Sequence, residues 1–145
     1  MERMLGKFAP HLYVLLRLIA GLLFACHGAQ KLFGLFGGVS GSLGATVPLF
    51  SLPGAAGLIE FVGGLLVACG VLTSYAAFVA SGEMAFAYFM RHFPRGFWPM
   101  QNEGELAVLY CFVFLYIAAN GTWMQRRLPL TPIEPMERFE QRTSL

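Results

Sequence analysis

Apolar residues run through this chain in four long stretches: His11 to Phe33, Gly54 to Thr73, Tyr75 to Met90, and Glu105 to Trp123. A hydrocarbon core about 30 Å thick is crossed by about 20 mostly apolar helical residues, and the four stretches meet or approach that length. The pattern predicts an all-α fold, an integral membrane bundle of four helices. Gly34 to Pro53 is too broken by Gly, Ser and Pro to span, but it is apolar enough to lie on the membrane surface as a short interfacial segment. Only Thr73 and Ser74 separate the second stretch from the third, and Gly70 one turn earlier favours a tight hairpin over one overlong helix. Pro94, Gly96, Phe97, Trp98 and Pro99 make the next connection an aromatic loop at the water boundary. Two regions follow: a transmembrane domain over 1–125, and a tail over 126–145 kept extended by Pro129, Pro132 and Pro135.

Composition agrees with a membrane setting, since 57% of the residues are hydrophobic and only 12% charged, about half the charge of a soluble domain. The net charge of +2 forms no basic stripe, which argues against nucleic acid as a partner. Cys26, Cys69 and Cys111 fall one per stretch, with no spacing that builds a metal site, and read as small apolar residues. Arg17 interrupts the first stretch, which sets it apart from a cleaved signal. Arg3, Lys7, Arg126, Arg127, Arg138 and Arg142 crowd one side, against Lys31, Arg91 and Arg95 on the other, so both termini are expected in the cytoplasm.

Charges inside a bilayer cost about 2.5 to 3.5 kcal/mol each and persist where they pair or line a polar site. Counting 1.5 Å per residue places Arg17 and Glu83 at similar depth, which predicts an ion pair that holds the bundle together. Nearer the outer surface, His27 and Glu60 fall level with each other, with Lys31, His92 and Glu105 around the mouth. These five form the candidate ligand-binding cluster. His27 beside Glu60 is equally a plain hydrogen-bonded pair or a proton relay, while Lys31 and Glu105 also read as interfacial anchors. In the second stretch Gly57, Gly63 and Gly64 flank Glu60 and allow close helix approach.

Four phrases carry a resemblance. They are Arg17 followed by Cys26-His27-Gly28-Ala29-Gln30-Lys31-Leu32-Phe33-Gly34, then Gly57-Leu58-Ile59-Glu60-Phe61-Val62-Gly63-Gly64, then Gly70-Val71-Leu72-Thr73. The last runs from His92-Phe93-Pro94 through Gly96-Phe97 to Asn102-Glu103-Gly104-Glu105. With these in order, the chain resembles the DoxX family of small bacterial four-helix membrane proteins. The resemblance implies a subunit of the inner membrane linked to redox chemistry, and it marks Arg17, His27, Lys31, Glu60, His92 and Glu105 as family positions. Ser74 stands where the family pattern carries a basic residue, and the three cysteines lie outside it.

Three readings of function follow. In the first, the outer polar cluster binds a quinone headgroup or a similar small redox molecule, with His27 or His92 donating a hydrogen bond and Glu60 or Glu105 relaying protons. No flavin, iron-sulfur or dinucleotide motif is present, so electrons come from a partner subunit or a bound cofactor. In the second, the chain is a non-catalytic accessory subunit or homo-oligomer that docks through its aromatic loop and Gly-rich segment. In the third, His27 and His92 ligate a haem.

Overall fold

The computed structural model of the protein describes residues 6–127, with side chains placed as far as Gly121. The side chains of Arg3, Arg126 and Arg127, together with Arg138, Arg142 and the tail beyond Arg127, lie outside the described residues.

Every regular element among the described residues is helical. A 3₁₀ turn at Gly6–Phe8 leads into α1 (Ala9–Phe33), with Pro10 in the first turn where a missing N–H costs nothing. Gly34 ends α1 in the left-handed region, at φ 67°. The connection that follows holds only the short 3₁₀ turn Val39–Gly41 and is pinned by Gln30 Nε2 donating to the Gly38 carbonyl. Ser51 then caps α2 (Leu52–Cys69) by accepting from the Gly54 N–H at 3.2 Å. The expected hairpin is present: Gly70 and Leu72 both adopt positive φ, and α3 (Thr73–Ala87) starts directly, prolonged by a π-helical turn at Tyr88–His92. An aromatic loop leads to α4 (Glu105–Arg127).

Helix α1 packs chiefly on α2, and α3 on α4. Close approach of α1 and α2 depends on Gly28, where a Cβ would overlap the backbone of Gly57 and Phe61. Between the two pairs, Phe24, Phe114, Ile117 and Val67 are fully buried, and the Phe24 and Phe114 rings meet at 4.7 Å. The outer faces carry exposed Leu23, Phe78, Phe86, Leu109 and Phe112. Two helical spans, Gly6–Phe33 and Leu52–Cys69, are long and apolar enough to cross a membrane.

Candidate functional site

Lys31 lies in the last turn of α1, facing α2 at Glu60. Its Nζ donates to Glu60 Oε1 at 2.6 Å, and Glu60 is 3% exposed. Within α2, residues Ile59–Gly63 form a π-helical turn, a local widening of the helix that occurs often at functional sites. Glu60 Oε2 is buried without a hydrogen-bond partner, and Glu83 Oε2, on α3, is in the same condition. A carboxylate oxygen buried without a donor is costly, so two of them near one ammonium mark this region as polar by design.

Beside the pair opens a cleft of about 1200 Å³. Ile59 of α2 and Val79, Phe86 and Met90 of α3 make it apolar, and Val39 and Val47 of the α1–α2 connection also line it. Its polar lining comes from Lys31, Glu83, Arg91 and Arg95. Gly82 leaves the α3 wall open, because nothing stands within 4 Å of where its Cβ would be. An apolar cavity with a few convergent polar groups is the usual form of a small-molecule site.

The structure brings together only part of the expected cluster. Lys31 lines the cleft, and Glu60 stands behind it as its ion partner. His27 instead turns its ring edge-on to Tyr110 of α4, at 6.2 Å. One helical turn and a residual rotation of about 40° separate it from Lys31, so its ring contact is with α4, while it stays within electrostatic reach of Glu60. His92 is held by the loop: its Nδ1 meets the Asn102 carbonyl oxygen at 3.0 Å, and its ring stacks with Tyr88. Glu105 is exposed in the first turn of α4, where a carboxylate suits the helix dipole. None of these three lines the cleft.

The expected Arg17–Glu83 pair is not formed either. Ion pairs among the described residues are Lys31–Glu60 and Arg95–Glu103. The Arg17 guanidinium lies against Gly70, before α3 begins, whereas Glu83 sits ten residues into α3, about 15 Å further along. Counting depth from apolar stretches missed this because α1 starts well outside the α2–α3 turn.

Sequence reasoning also passed over Asn102. It is fully buried, donates from Nδ2 to the Gly96 carbonyl at 2.7 Å and accepts from the Gly104 N–H at 2.8 Å. Its place between two helix-ending loops and before Glu103-Gly104 is the signal for such a turn-organising role.

A helical protein with apolar spans and buried ionisable groups around an apolar cleft is a membrane protein in class. The DoxX family profile matches residues 12–93, which covers α2, α3, all of α1 but its first three residues, and every cleft-lining residue named above except Arg95. The chain belongs to the DoxX family. It is similar to an uncharacterized protein of Haemophilus influenzae, 39% identical over 120 residues that span 81% of this chain and 88% of that relative. No solved structure shows a significant match to the chain.

Proposed function

We propose that this protein crosses the bacterial cytoplasmic membrane four times with both ends inside, and that its cleft holds the headgroup of a quinone or similar small redox molecule. The transmembrane unit is residues 1–125, followed by a cytoplasmic tail. The observation that carries the reading is Glu83. Its buried, unpartnered Oε2 stands on the wall of an apolar cleft that also presents the Lys31 ammonium.

That pairing of groups suits the two oxidation states of a quinone. Lys31 donates a hydrogen bond to a quinone carbonyl oxygen; Glu83 accepts one from a quinol hydroxyl and takes up its proton on oxidation. Glu60 fixes the Lys31 ammonium in place. Val79, Phe86 and Met90 supply the apolar wall for the ring and the start of a prenyl chain. Electrons enter or leave through a partner subunit, so the chain serves as part of a membrane oxidoreductase. Exposed Phe97, Trp98 and Met100 on the outer loop favour a second role for the same face, docking against that partner.

Binding of a quinone analogue to the purified protein tests this reading. Glu83→Gln removes the acceptor charge, and Gly82→Phe fills the cleft from a position with free space around it. Each is expected to weaken binding about tenfold or more, Glu83→Gln by losing a hydrogen bond to a charged group and Gly82→Phe by occupying the space of the ligand. His27→Ala and His92→Ala are expected to leave affinity unchanged. Wild-type affinity in both the Glu83 and the Gly82 variants would remove the proposal.

A further inference from the structure

Towards its outer end the cleft becomes a wedge, because α2 and α3 part there. Helix α3 packs against residues 59–69 of α2, next to the hairpin, whereas the outer turns of α2, Leu52–Leu58, pack on α1 instead. One stripe of each helix is left facing the gap. On α2 it is Leu52, Ala56 and Ile59, at i, i+4 and i+7; on α3 it is Val79, Phe86 and Met90, at i, i+7 and i+11. At 1.5 Å per residue the α3 stripe runs about 16 Å along the helix.

The wedge is open along its side as well as at its mouth, since Leu52 is 71% exposed, Phe86 53% and Met90 60%. In a bilayer that open side faces lipid chains. Apolar walls with nothing between them lose their dispersion contacts, so an acyl chain entering from the side lowers the free energy of the gap.

Charge at the outer end selects the headgroup of that chain. Arg91 and Arg95 line the mouth, just beyond Met90. Arg91, in the π-helical turn that prolongs α3, is exposed and has no ion-pair partner among the described residues. The Arg95 Nε donates to the Arg91 carbonyl at 3.2 Å, which folds the Arg95 side chain back over the end of α3. Its Nη1 reaches Glu103 at 2.8 Å, but that carboxylate is 79% exposed, and surface pairs of this kind hold weakly. Glu83, the carboxylate that lines the cleft, lies about 12 Å back along α3 from Arg91. Two guanidinium groups thus stand over the open end of an apolar wedge, and their planar donor sets match phosphate oxygens.

We propose that the wedge seats an anionic phospholipid of the adjoining leaflet, with its phosphate on Arg91 and Arg95 and one acyl chain between Leu52 and Met90. The lipid site does not rest on the quinone reading, whose headgroup position is at Lys31 and Glu83.

The test titrates delipidated full-length protein in detergent with phosphatidylglycerol, with phosphatidylcholine and with inorganic phosphate, and reads the unfolding temperature. A saturable rise with phosphatidylglycerol is expected, at least tenfold weaker for the zwitterionic lipid and absent for the chainless phosphate. Arg91→Gln is expected to weaken the phosphatidylglycerol response about tenfold, the effect of losing a charged hydrogen bond, while Arg91→Lys keeps most of it. Lys7→Gln removes the same charge at the other end of the bundle and is expected to change nothing. No rise with phosphatidylglycerol, an equal rise with phosphatidylcholine or inorganic phosphate, or a wild-type response from Arg91→Gln overturns the proposal. No quinone is present and neither Glu83 nor Gly82 is varied, so this site and the quinone site stand or fall separately.

Discussion

Glu60 is 3% exposed and Lys31 lies 2.6 Å from it, with 32% of the Lys31 side chain still open. Removing the charge from one partner leaves the other in a poorly solvated place. Glu60→Gln is therefore expected to cost about 1–3 kcal/mol, less than a fully buried pair because Lys31 keeps some solvent. The double variant Glu60→Gln with Lys31→Met leaves no orphaned charge and is expected to recover most of that loss. A thermal melt in detergent on the three proteins checks this, and equal losses in the single and double variants would contradict the pairing. Of the five residues the sequence pointed to around the outer end, this pair is the part in direct contact, with His27 within electrostatic reach of Glu60. The acidic and basic members were legible because a charge in an apolar stretch needs a reason. Their direct contacts were not, because residues one turn apart on α1 can touch different helices: Lys31 pairs with Glu60 of α2, while the His27 ring meets Tyr110 of α4.

At the scale of elements, the glycines of α1 and α3 make opposite expectations. A Cβ at Gly28 would overlap the backbone of α2, so Gly28→Ala pushes two helices apart and is expected to destabilise by about 1–3 kcal/mol. Gly82 has open space in mid-helix, and Gly82→Ala is expected to be neutral or stabilising by about 0.5–1 kcal/mol. Unfolding midpoints in the same detergent measure both, and a Gly28→Ala protein as stable as wild type would contradict the close α1–α2 contact. The loop before α4 depends on Asn102 in a similar way. Asn102→Ala strips two hydrogen bonds from buried backbone groups, so faster proteolysis between Phe93 and Gly104 is expected, with α3 and α4 intact. The helices themselves were readable from apolar length, and so was the hairpin at Gly70. The π-helical turns at Ile59–Gly63 and Tyr88–His92 were not, because widening a helix by one residue changes no composition.

For the whole molecule, the distribution of charge sets the arrangement we propose. Glu103 and Glu105 lie with Arg91 and Arg95 at one end, Glu60 and Glu83 lie midway along α2 and α3, and Arg17 stands at the α2–α3 turn. A fluorescent-protein fusion after Leu145 is expected to be fluorescent, and alkaline phosphatase inserted after Met100 is expected to be active, as four spans with cytoplasmic ends require. An inactive phosphatase insertion would overturn that topology. The cleft was only half visible in the sequence. Its charges announced themselves, but its apolar wall of Val79, Phe86 and Met90 looks like any lipid-facing helix until α2 and the α1–α2 connection are folded against it.

The most direct measurement is photolabelling of the purified protein with a photoreactive quinone, followed by peptide mapping. The expected label falls on α3 between Val79 and Met90 and on Ile59 of α2, and it disappears in Gly82→Phe. Label spread over the exposed face of α4 at Leu109, Phe112 and Leu115, untouched by Gly82→Phe, would contradict a headgroup site between Lys31 and Glu83.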